Sequence, residues 1–240
     1  MAARPELAGG VVSGVSVEEF LYQLSVWALP LLLAVGCHEA AHGWAAWKLG
    51  DDTARRLGRV TINPVRHIDP FGTVLLPGLL LLSGAPFLIG YAKPVPVAFG
   101  RLRPVRLGMA LVAVAGPAAN IALCVFSLVV LQALGWAPEF PGRDWVAETA
   151  RKSVILNTVL AVFNMLPVPP LDGGRILTAL LPAPIASRLA RLERGGIVLI
   201  LLVLFVLPWL LSRAGIGFDP ADWLLWRPVA WIIEGLITVI

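Results

Sequence analysis

Long apolar runs separated by short, basic, proline-containing stretches set the pattern of the chain. Runs of spanning length fall at 20–47, 71–90, 107–134, 152–166 and 196–212, and a Trp-rich tail follows at 222–240. The pattern predicts an all-α polytopic membrane protein with about five to six membrane segments and short β or extended elements between them. "GRVTINPV" at 58–65 alternates enough for a short strand. The prolines of "YAKPVPVAFGRLRPVR" at 91–106 exclude a helix and suit an edge strand or extended chain. The expected division is a tail at 1–19, a membrane core at 20–182 and C-terminal membrane segments at 183–240.

Composition strengthens this picture. Hydrophobic residues make up 58% of the chain and charged residues only 14%, which excludes an ordinary soluble domain. The formal net charge of +4 sits in clusters between apolar runs, where it sets topology, so no nucleic-acid partner is expected. Cys37 and Cys124 both lie in apolar runs and suggest neither a disulfide framework nor a Cys-rich metal site. The first nineteen residues lack a basic region followed by an apolar one, so no cleaved signal peptide is expected.

Arginines crowd the connections at 50–70, 91–106 and after Asp172, whereas the connection at 135–148 is acidic. The positive-inside rule assigns the first three to the cytoplasm and the last to the far side. With both flanks cytoplasmic, the run at 71–90 enters and returns, turning at Pro77 and Gly78; a span kinked at Pro77 is the competing reading.

Candidate chemistry begins at 38–42. His38-Glu39-Ala40-Ala41-His42 matches H-E-x-x-H, in which residues four apart share a helix face and both imidazoles reach one metal ion, with Glu39 beside its bound water. Three ionisable groups in one turn of a membrane helix are costly unless they serve a site. A catalytic zinc usually takes a third protein ligand. The extended form fails, because Ala45 and Lys48 stand where Gly and His are required, and no Glu occurs between Glu39 and Glu139. Asp172, after a proline-rich break and before Gly173 and Gly174, is the favoured third ligand; an N-cap role is the alternative. His67, in a loop, either caps a turn or approaches the site.

With these residues in view, the chain resembles the site-2 proteases, intramembrane zinc metalloproteases. The likeness rests on the 38–42 motif, on Ala115-Gly116-Pro117-Ala118-Ala119-Asn120, on Asn164-Met165-Leu166-Pro167 leading to Leu171-Asp172-Gly173, and on "TINPVRHIDPFGT" and "AKPVPV". It covers about residues 30–180, in a compact form without a PDZ or nucleotide-sensing domain. The resemblance implies one Zn2+ per chain held by His38, His42 and Asp172, with Glu39 as the catalytic carboxylate. It makes 20–182 the catalytic core of a multi-pass protein of the cell (plasma or inner) membrane. Transmembrane proteins would be the substrates and the lipid bilayer the surroundings.

Asn120 and Asn164 are candidate substrate or oxyanion donors; interhelical hydrogen bonding is the alternative for each. The 91–99 segment is a candidate edge for holding an unwound substrate by strand addition. A metal-binding transporter or scaffold remains a competing function, separable because neither needs the proton shuttle of Glu39. A haem protein is disfavoured, since residues four apart on one helix cannot flank a haem.

Overall fold

A computed structural model describes residues 16–75, 79 and 92–239, and these are mostly helical. Helix α1 (Val17–Lys48) opens on Ser16, whose hydroxyl accepts the Glu19 N–H at 3.0 Å, with Glu18 and Glu19 in the first turn. Both features satisfy amides and charge at a helix N-terminus. A single turn, α2 (Thr53–Arg56), follows, and then α3 (Val105–Trp136) and α4 (Arg143–Asn164). Gly142, with φ 88°, supplies the left-handed residue that starts α4. Beyond a proline-rich break come α5 (Asp172–Leu180), α6 (Ala183–Ala190), α7 (Gly196–Arg213) and α8 (Arg227–Val239). α7 widens to π-helical winding at Leu202–Val206.

α3 lies at the centre and packs against α1, α4 and α5, while α1 also packs on α4. Arg106, near the start of α3, donates to the carbonyls of Ala179 (2.9 Å) and Leu181, tying α3 to the end of α5. Leu171 and the α7 residues Ile200 and Leu204 form a buried cluster, with Phe163, Leu166 and Val168 against it, so α7 covers the break between α4 and α5.

Two expectations change. Among the described residues three helices are long and apolar enough to cross a membrane, α1, α3 and α7, fewer than the five to six predicted. The apolar run at 152–166 belongs to α4, whose first three turns hold Arg143, Asp144, Glu148, Arg151 and Lys152. The tail is π-helical at Asp222–Trp226 and runs on into α8, and this helical stretch carries Asp222, Arg227 and Glu234. Most of the run at 71–90 lies outside the described residues, and with it the re-entrant turn.

No strand occurs among the described residues. Asn63 accepts the Val65 N–H at 3.1 Å and starts a 3-10 turn, Pro64–His67, in place of the strand expected from "GRVTINPV". That is the turn chemistry of an Asx residue ahead of proline winning over alternation. Residues 92–98 form neither helix nor strand, and Pro94 and Pro96 carry no N–H for a ladder.

Candidate metal centre

His38 and His42 occupy successive turns of α1, 8% and 7% exposed, with ring centroids 4.6 Å apart and planes at 87°. Their Nε2 atoms lie 3.0 Å from each other. Asp172, the first residue of α5 and 4% exposed, brings Oδ2 to 3.2 Å from His38 Nε2 and 3.3 Å from His42 Nε2. The three side chains predicted as ligands therefore meet, although Asp172 is far along the chain from the histidines.

The tautomers follow from the partners of the other ring nitrogens. His42 Nδ1 is 2.7 Å from the Val112 carbonyl, which only accepts, so Nδ1 carries the proton. Asn120 Nδ2 donates to the Ala34 carbonyl (3.2 Å) and to Asn157 Oδ1 (3.0 Å), which turns its Oδ1 toward His38 Nδ1 at 2.7 Å. His38 Nδ1 is protonated for the same reason. Both Nε2 atoms then present lone pairs, facing each other and a carboxylate oxygen that has no hydrogen-bond donor. Three lone pairs converging in a buried site repel unless positive charge sits among them. One proton serves a single pair, whereas a divalent cation serves all three. Zinc fits the donor set of two imidazoles and a carboxylate, and carbonyl or amide partners on the outer nitrogens are the usual support for metal-bound histidine.

Close backbone approach makes room for this. A Cβ on Gly116 of α3 would sit 2.4 Å from His42 Nε2 and 2.6 Å from His38 Nε2, so only glycine lets α3 pass over these nitrogens. Behind Asp172, a Cβ on Gly173 would meet the Met165 carbonyl oxygen at 2.1 Å, and one on Gly174 the Pro169 nitrogen at 2.2 Å. The two glycines let α5 start directly against the break, with Asp172 facing α1.

Glu39 stands next to His38 but outside the ligand triad. Its Oε2 accepts the Val95 N–H at 2.7 Å. The rest of the 92–98 segment is held just as firmly. The Lys93 N–H donates to the His67 carbonyl (2.9 Å), buried Arg59 donates to the carbonyls of Lys93 (2.5 Å) and Pro94 (3.3 Å), and the Ala98 N–H donates to Asp51 (2.6 Å). Both N–H groups of 93–96 are thus engaged within the fold.

The other candidates fall elsewhere. His67 is 2% exposed and its Nε2 lies 2.8 Å from the Thr61 carbonyl, so it braces its own loop. Asn120 is fully buried, and both amide hydrogens have acceptors, so it orients His38 and offers no donor to an oxyanion. Asn164 is half-buried at the end of α4 and donates to the Leu160 carbonyl. Sequence reasoning did not single out Asn157, Val112 or Val95. For Asn157 a signal was present, an amide in the middle of an apolar run; for backbone groups there was none.

Comparison with known proteins agrees with the site. Residues 143–207 match Peptidase family M50. "Putative zinc metalloprotease YwhC" of Bacillus subtilis (strain 168) is 36% identical over 83% of this chain and 93% of its own length. Rip2 of Mycolicibacterium smegmatis, similarly described, is 28% identical over 84% of this chain and 76% of its own length. Rip2 of Mycobacterium tuberculosis (strain H37Rv) is 31% identical over 80% and 69%. No solved structure matches the chain. A donor set built for zinc, held inside helices apolar enough for a bilayer, thus agrees with these relatives: the chain belongs to peptidase family M50, the site-2 protease family, and is a zinc metalloprotease.

Proposed function

We propose that this protein is an intramembrane endopeptidase of the cell membrane, hydrolysing peptide bonds in or near the transmembrane segments of other membrane proteins. The observation that carries the reading is the meeting of Asp172 with His38 and His42, which stand on a helix long and apolar enough to cross a membrane, with the carboxylate of Glu39 one residue away. His38 lies ten residues before the end of α1 at Lys48, or about 15 Å from it, on the arginine-rich side that the charge rule assigns to the cytoplasm. Water would reach the site from there.

His38, His42 and Asp172 would hold zinc, which when bound supplies a Lewis acid for the scissile carbonyl and lowers the pKa of a coordinated water toward ~7. Glu39 takes a proton from the attacking water and passes it to the departing amine nitrogen as the C–N bond breaks. The Val95 N–H fixes Oε2, and Oε1 is the atom left for the proton. Asn164, with one of its two amide hydrogens given to Leu160, is the remaining side-chain candidate for the oxyanion.

The test is co-expression with a panel of single-pass membrane proteins, comparing the native chain with Glu39→Gln and reading fragments and bound zinc. Loss of cleavage by about 10²- to 10⁴-fold with zinc retained is expected. No cleavage by either chain while zinc is bound would leave transport or scaffolding in its place, and equal cleavage by both would remove Glu39 as the proton carrier.

A further inference from the structure

We infer that Asn157 of α4 is a positioning residue for the metal centre, acting through Asn120 on His38. The starting point is an ambiguity built into any asparagine that supports a metal-bound histidine. With Oδ1 toward His38 Nδ1, Asn120 leaves Nε2 as the lone pair a metal needs. If the amide turned over, an N–H would face Nδ1, the proton would move to Nε2, and coordination would be lost. Nothing within Asn120 chooses between these orientations.

Two neighbours choose. The Ala34 carbonyl takes one amide hydrogen at 3.2 Å, and Asn157 Oδ1 takes the other at 3.0 Å. Asn157 would face the same ambiguity, but its own Nδ2 donates to the Ser153 carbonyl (2.9 Å) and Ser153 Oγ (3.1 Å), and a backbone carbonyl cannot be turned into a donor. Ser127 Oγ of α3 lies 2.8 Å from the Leu123 carbonyl, which takes its hydrogen, and 2.7 Å from Ser153 Oγ, which completes the far end. Asn120 is 0% and Asn157 1% exposed, so no water competes for these bonds. The polarity of the relay is therefore fixed by backbone carbonyls on α1 and α4 and read out at His38 Nε2. A wrong setting anywhere along it leaves a buried donor facing a donor.

The inference rests on His38 as a zinc ligand. It is tested by metal binding alone, so failure to find a cleaved substrate would leave it standing. The full chain in detergent micelles is compared as native protein, Asn157→Leu, Asn120→Ala and the double variant. Zinc affinity is measured by chelator competition, the visible ligand-field bands are read after Co2+ substitution, and thermal unfolding of the zinc-free forms records stability. Asn157→Leu is expected to weaken zinc binding 10- to 100-fold, the range seen for outer supports of metal ligands, and to shift the Co2+ bands. In the Asn120→Ala background the same change should add less than about twofold, because residues that act through one another are not additive. Equal losses in the two backgrounds, or native affinity in Asn157→Leu, would overturn the assignment. Should leucine prevent folding, Asn157→Ser, too short to reach Asn120, is put through the same cycle with the same two readings.

Discussion

The two halves of α1 share one helix and an apolar character yet are built for different neighbours. From 17 to 33 the helix presents large side chains outward, with Val17, Leu21, Leu24 and Leu31 exposed, as suits hydrocarbon. From 34 to 46 it turns small: Ala34 and Ala46 are fully buried, Gly36 and Gly43 leave the backbone open, and His38 and His42 fill the remaining inward positions. The first half is also the richer in large aliphatic residues. What separates them is side-chain volume, because helices in a bilayer gain their association from close packing and hydrogen bonds, not from leaving water.

The comparison can be broken most forcefully at Gly116. Gly116→Ala places a methyl where the histidine nitrogens lie, and bound zinc, measured by metal analysis of the purified chain, should fall to near zero. Full zinc content in that variant would mean that the close approach of α3 is unimportant. A smaller effect is expected just past the packed half, at Asp51. Burial alone would raise this carboxyl, but bonds from the Thr53 hydroxyl and from the Ala98 and Thr53 N–H groups, with Arg101 nearby, hold it below the ordinary carboxylate range. A group lowered in the folded state stabilises above its unfolded pKa of ~3.9 and loses that contribution as pH falls through the folded value. Asp51→Asn should therefore unfold at a lower temperature than native protein at pH 7, and the gap should close toward pH 2; a gap independent of pH would refute the ionic role. The least effect is expected on the lipid-facing half, where Leu21, 56% exposed, should accept valine within about 0.5 kcal/mol, read as unchanged thermal unfolding in micelles.

The same contrast explains what was legible in the chain. That His38 and His42 share one face follows from helical periodicity within five residues, and the approach of Asp172 to them from the cost of breaking a helix at membrane depth beside two glycines. Zinc follows from that ligand set. The proposed partners of Asn120 were not legible, because its bonds to Ala34 and Asn157 depend on the rotation of three helices about one another. The strand expected at 58–65 failed on a local contest, Asn63 capping a turn that proline favours. Among the described residues the run at 152–166 was over-read as a span because α4 pairs an apolar second half with a charged first half, and only the helix as a whole shows both.

Gly196, at the first turn of α7, lies so near the break that a Cβ there would fall 1.6 Å from the Pro169 carbonyl oxygen. The loop that carries Asp172 is thus packed directly against the start of α7. The seat of Asp172 therefore depends on α7, a helix outside the cluster itself, and any side chain at 196 would be felt at the carboxylate through the proline-rich break.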